Sequence, residues 1–200
     1  MFQKKSKRSC ATSMEKKSFD WKELFDLSLL RNPRVIAFGA IIIALDVVLN
    51  QLAFAPSPLI EFNFNYIAHA MGAFLLGPVI GGICAAIADI IGFFLRPNGS
   101  FFFGFTLNAV LGTMIYGFFF YKRPVSWKRV LIAAAIVTVI VSFILTPLWL
   151  QVMGYKDFVV SIMSSTRYLK AAIMYPIRVI LVFSLLKFME NIKVRERFRL

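Results

Sequence analysis

Hydrophobic positions along this chain fall into long apolar runs separated by short polar breaks, and the pair of runs between Gly81 and Tyr121 organises the rest. Two helices are predicted there, joined by the break Arg96-Pro97-Asn98-Gly99-Ser100. On the first, Gly81, Ala85, Ala88, Asp89 and Gly92 share one face; on the second, Gly104, Asn108 and Gly112 recur at four-residue spacing. Small residues let helices approach closely, and Asp89 and Asn108 set one carboxylate and one amide among them. In an apolar span such groups must face protein or a cavity, not lipid. Two such faces hinged at a Pro-Gly break are expected to enclose a small polar ligand.

The other runs extend the pattern. Pro33 to Leu52 is a first span, because about 20 residues rising about 1.5 Å each cover a bilayer core of roughly 30 Å. Its wheel has two faces: Ala37, Ala40 and Ala44 lie within about 60° of one another, and Asp46 and Asn50 lie more than about 100° from the middle of that group. A smooth face for a neighbouring helix and a polar face for the interior are expected. A loop with Pro56 and Pro58 leads through Glu61-Phe62-Asn63-Phe64-Asn65 to a short second span, stopped at Gly77-Pro78. The Gly81–Tyr121 pair gives spans three and four. A fifth runs from about Val130 to Gln151, bent by Pro147 near Trp149, and a sixth from about Arg167 to Phe188. The fold expected is all-α: a polytopic membrane protein of six transmembrane helices.

Composition narrows the class. The chain of 200 residues is 59% hydrophobic and 16% charged, with 22 Phe, whereas soluble domains are typically about 45–50% apolar. Most of these Phe, including the run Phe101-Phe102-Phe103, are expected to face lipid or pack in the core. The net charge of +13 does not imply nucleic acid, because the basic residues sit at the span ends. Residues 1–34, the 122–129 loop and the C-terminal end from Lys187 hold 18 of the 23 Lys and Arg, which by the positive-inside rule sets both termini in the cytoplasm. Asp46, Asn50, Asn65, Arg96, Gly104, Trp149, Gln151, Arg167 and Lys170 then occupy the outer half, around a pocket opening outward. Three regions are expected: a basic segment, 1–32, with a short interfacial helix around Asp20–Asp26; a membrane domain, 33–193; and a basic tail, 194–200. Residues 1–34 lack the apolar core of a cleavable signal, and Met14 is an alternative start.

Span six carries charge at depth. Arg167, Lys170, Met174 and Arg178 form one stripe descending about 16 Å. One reading is a basic wall for an anionic ligand. The other is that Arg167 and Lys170 snorkel to headgroups while Arg178 pairs with Asp46 or Asp89. His69 is expected to be a hydrogen-bonded interior residue, and Cys10 and Cys84 to be unpaired thiols.

Several chemistries are excluded or disfavoured. The chain has no G-x-x-x-x-G-K-[ST] run, so it does not cradle ATP phosphates by that loop. No metal-ligand spacing, catalytic residue or cofactor is read from it. Asp46 and Asp89 lack the local D-x-x-D spacing that an intramembrane lipid or prenyl transferase would use with a divalent metal. A gradient-driven carrier or small channel is the other alternative.

The run Ala88-Asp89-Ile90-Ile91-Gly92, followed by Arg96-Pro97-Asn98-Gly99, Gly104-Phe105-Thr106-Leu107-Asn108-Ala109 and Ile115-Tyr116-Gly117, resembles the folate-family substrate-binding (S) component of energy-coupling factor (ECF) transporters. The resemblance covers about 33–188 and includes Ala40-x-x-x-Ala44; Arg178 departs from it, since a neutral or acidic residue is expected there. The resemblance implies a bacterial cell-membrane protein that captures a vitamin outside and docks on a shared module of one transmembrane coupling protein and two ATPases. Ala37, Ala40 and Ala44 would then be the docking face. If the vitamin is folate, Trp149 and Phe105 would stack on the pterin, and Asn50, Asn65, Asn108 and Asp89 would meet its polar edge. Arg96, Arg167 and Lys170 would hold the glutamyl carboxylates. Pantothenate or another anionic vitamin would also satisfy basic residues at the mouth.

Overall fold

The computed structural model describes residues 31–52, 54–57, 60–95, 101–154, 165–192 and 194. The interfacial helix expected around Asp20–Asp26, the break with Arg96, the loop with Lys156 and Asp157, and residues 195–200 of the basic tail lie outside the described residues.

Helix α1, Pro33–Gln51, begins where Asn32 accepts the Arg34 backbone N–H on its side-chain oxygen at 3.0 Å, with Pro33 in the first turn. Proline suits that place, because its missing N–H would have had no intrahelical partner. The segment expected to be a plain loop pairs instead as two short antiparallel strands, β1 (Phe54–Ser57) and β2 (Ile60–Phe62), with Phe54 opposite Phe62. Pro56 is compatible with pairing because every strand of a two-stranded ribbon is an edge. Among the described residues the helices are therefore accompanied by one small two-stranded ribbon.

Helix α2 spans Tyr66–Leu95 but reverses at Gly77, where φ is 86° and ψ 178°. In a straight helix Gly72 and Gly81 would stand about 14 Å apart; here a Cβ on Gly81 would lie 3.1 Å from the Gly72 carbonyl carbon. The two limbs, 66–76 and 78–95, therefore fold back on each other, with the backbones of Gly72 and Gly81 in close contact. Gly77 supplies the left-handed conformation that other residues resist, and Pro78 starts the returning limb with its φ already helical. The expected second and third spans are these two limbs.

Helix α3, Phe103–Phe120, packs on the returning limb, and a Cβ on Gly117 would meet Pro78 Cα at 2.5 Å. Next, α4 (Trp127–Val137), a π-helical stretch (Thr138–Leu145) and α5 (Thr146–Val152) make one rod of 26 residues. The distortion ends at Pro147, whose ring cannot donate to the preceding turn. The Thr146 hydroxyl donates to the Val141 carbonyl at 2.6 Å, the same carbonyl that the Thr146 backbone N–H reaches across the π-turn. Helix α6, Ser165–Asn191, completes the bundle.

Among the described residues five helices are long and apolar enough to cross a bilayer: α1, α2, α3, the α4–α5 rod and α6 from Ala171. Limb 66–76 rises only about 16 Å and does not reach that length alone. Side chains such as Tyr116, Phe120, Val130, Val182 and Leu186 are fully buried, whereas Ile36, Ile41, Phe94 and Ile180 are exposed on the outer surface. An apolar exterior around a packed interior is what a lipid solvent permits.

The bundle has two distinct ends. At one, Gly77 lies against Tyr121, and the Val125 N–H donates to Glu190 Oε1 at 3.0 Å. Lys187 pairs with Glu190 at 2.7 Å at the same end. The Gly77 turn, the 121–126 loop and the C-terminal end of α6 thus come together where basic residues concentrate. The other end gathers Asn50, Gly92, Phe102 and Trp149.

Candidate ligand site away from the basic loops

Three groups of polar side chains stand inside the bundle. In the first, Asp46 on α1 is buried and its Oδ2 lies 3.1 Å from His69 Nε2 on the first limb of α2. One turn along α1 from Asp46, Asn50 presses its side-chain amide on Gly92 of the returning limb; a Cβ at Gly92 would overlap that amide. The Oδ1 atoms of Asp46 and Asn65 are buried acceptors without a hydrogen-bond partner among the described residues.

The second group joins α2 to α3. Thr106 donates to Asp89 Oδ2 at 2.7 Å, and the Asp46–His69 pair lies within electrostatic reach of Asp89. A charge-assisted bond of this length fixes one carboxylate oxygen and leaves the other with acceptor capacity.

The third group is aromatic. Trp149 on α5 donates its indole N–H to Asn108 Oδ1 at 3.0 Å, and Asn108 Nδ2 reaches Thr146 Oγ1 at 3.5 Å. The Phe102 ring stands 5.7 Å from the Trp149 ring and 6.1 Å from Phe105. Gly104 is the floor of this cluster: a Cβ there would overlap Phe102 and lie 2.6 Å from the Trp149 ring.

These contacts revise part of the expected site. The small residues on the faces bearing Asp89 and Asn108 pack on different neighbours. Gly81 packs on Gly72 of the folded-back limb and Gly92 on Asn50 of α1, whereas Gly104, Asn108 and Gly112 face the α4–α5 rod, with Gly112 against Val137 and Val141. Arg178 pairs with neither Asp46 nor Asp89; its Nη1 donates to Thr138 Oγ1 at 3.2 Å. Arg96 lies outside the described residues, and so do the side chains of Arg167 and Lys170 on α6.

Reading the sequence missed the partners rather than the anchors. Thr106 and Thr146 are ordinary helix residues by pattern, and only the fold sets them against Asp89 and Asn108. On α1, Ala37, Ala40 and Ala44 are all exposed while Asp46 on the opposite face is buried.

Comparison with known proteins places this architecture. The family described as "ECF transporter, substrate-specific component" matches residues 34–192. A protein of Clostridium novyi (strain NT) named folate transporter FolT is 35% identical over 168 residues, covering 84% of this chain and 96% of that protein. A namesake from Leuconostoc mesenteroides is 32% identical, covering 74% of this chain and 81% of that one. A solved structure titled "Crystal structure of FolT bound with folic acid" superposes with a TM-score of 0.71 at 37% identity, covering 76% of this chain and 92% of that one. With the family match spanning the whole described bundle and the relatives aligned over most of their length, this chain belongs to the substrate-specific components of ECF transporters.

Proposed function

We propose that this protein is the folate-binding S component of an ATP-driven vitamin importer. The observation that carries the reading is the alignment of this chain with 96% of a folate transporter at 35% identity. The site's chemistry accords with it. A pterin presents an amino group and ring N–H donors along one edge, and the buried acceptors Asp46 Oδ1 and Asn65 Oδ1, with the half-buried Asp89, suit such an edge. The Phe102–Phe105–Trp149 cluster offers aromatic faces to a flat ring. Arg96, Arg167 and Lys170 supply the cations for the glutamyl carboxylates.

In this reading the chain crosses the membrane six times, the two limbs of α2 each counting once, and both termini are cytoplasmic. The exposed Ala37, Ala40 and Ala44 form the surface that docks on the transmembrane coupling protein, and two ATPase subunits supply the energy. Binding of folate by the purified chain, together with mass spectrometry of the ligand it retains, tests the assignment. Retained pantothenate, with no folate binding, would reassign the vitamin while leaving the family unchanged.

A further inference from the structure

Near the middle of α6, Arg178 is half-buried and makes its contacts with protein. Its Nη1 donates to Thr138 Oγ1 at 3.2 Å, and that hydroxyl gives its own hydrogen to the Ala134 carbonyl at 2.8 Å. The Tyr116 hydroxyl of α3 stands against the same guanidinium. Among the described residues no carboxylate pairs with Arg178. The face of the Tyr66 ring, whose centroid is 5.1 Å away, attracts its charge instead. A cation kept in an apolar span is costly, and this one joins α6 to the start of α2.

Tyr66 is the first residue of α2, and β2, which ends four residues before it, packs on α6 as well. The segment 60–66 is thus fastened to α6 at both ends, by the strand and by the Arg178–Tyr66 contact. Asn65 lies inside that segment, and its carbonyl accepts the His69 N–H at 3.0 Å in the first turn of the helix. An asparagine so placed ordinarily caps the turn with its side-chain oxygen. Here Asn65 Oδ1 bonds nothing among the described residues. With no local bond to aim it, the direction of this side chain follows from where the backbone at 65–66 is held.

We infer that Arg178 is a positioning residue for the bound vitamin: by holding the Tyr66 ring it fixes the first turn of α2 and so aims Asn65. The effect on binding rests on the folate reading above, in which Asn65 meets the pterin edge; the anchoring of Tyr66 does not.

The test uses the purified full-length protein in detergent. Arg178→Met keeps the length and removes the cation, and Tyr66→Leu removes the ring from the other side. Tyr66→Phe, which loses only a hydroxyl without a partner among the described residues, is the control. Without vitamin, amide exchange over 64–69 should quicken by about three- to thirtyfold in Arg178→Met and in Tyr66→Leu, with the returning limb of α2 unchanged. Tyr66→Phe should stay at the parent rate, and Arg178→Lys, which keeps a cation over the ring, should restore most of the protection. In titrations, Arg178→Met and Tyr66→Leu should weaken folate and a tail-less pterin by the same factor, again about three- to thirtyfold. In an Asn65→Ala background Arg178→Met should cost less than about twofold more, because the side chain it aims is gone. Exchange at the parent rate in Arg178→Met would overturn the inference. So would a loss confined to folate, which would put Arg178 on the glutamyl carboxylates, or a loss undiminished by Asn65→Ala, which would make its role general packing. A parent protein that binds no folate would refute the vitamin assignment instead, and the exchange measurement, made without vitamin, still decides the anchoring.

Discussion

The indole N–H of Trp149 donates to the side-chain oxygen of Asn108 at 3.0 Å, joining α5 to α3 beside the π-helical stretch. This bond orients the ring that faces Phe102 and Gly104. Trp149→Phe keeps an aromatic face and strands the Asn108 oxygen. It should cost about 1–3 kcal/mol of stability, read from thermal melting in detergent. Asn108→Leu should loosen Trp149 without removing it, so its emission should shift to the red of the parent. Unchanged emission would mean that packing alone holds the ring.

Glycines separate strain from crowding. Gly77 and Gly154 both have left-handed φ, 86° and 76°, but Gly77 faces Tyr121 at 3.2 Å while Gly154 has nothing within 4 Å. Gly154→Ala should cost only the backbone term, about 1 kcal/mol, and Gly77→Ala that term plus displacement of Tyr121, about 2–4 kcal/mol. Comparing the two melting temperatures checks the ordering.

The exposed alanines of α1 bear on docking. Ala40→Trp and Ala44→Trp should abolish uptake in cells that contain the partner subunits while leaving ligand affinity within about twofold, since Asp46 and Asn50 lie on the other face. Affinity falling as far as uptake would make that face part of the internal packing.

Charge at the mouth and acid in the interior should affect different parts of one ligand. Arg167→Gln and Lys170→Met should each weaken folate by about 1–3 kcal/mol, roughly 5- to 150-fold, and a tail-less pterin much less. Asp89→Asn should weaken both ligands alike, because its carboxylate, held by Thr106 at 2.7 Å, is assigned to the ring edge. Paired titrations in detergent give the comparison.

What the sequence made legible follows from period and punctuation. Long apolar runs marked the helices, and Gly77-Pro78 marked a stop, because only glycine takes that φ easily and only proline restarts a helix without its N–H. The same pattern could not show that the two limbs fold back until Gly72 meets Gly81, since that contact depends on tertiary packing. Asp89 stood out as an isolated carboxylate, yet its partner Thr106 did not, because a threonine in an apolar helix is unremarkable by pattern. For Arg178 the sequence leaves open a place in a basic wall or a pairing with Asp46 or Asp89, and the fold rules out the pairing by giving both acids partners on other helices. Short β pairing around Pro56 is not legible for a related reason: proline and a brief run argue against a strand unless the ribbon has two free edges.

Equilibrium titration of the purified chain with folate, without partner subunits and without ATP, tests the central claim most directly. The account predicts one saturable site per chain, retained pterin in the mass spectrum of the protein as isolated, and no ATP-driven accumulation in vesicles that contain this chain alone. Absence of folate binding by protein that retains a different vitamin, or ATP-driven accumulation by the chain alone, would contradict it.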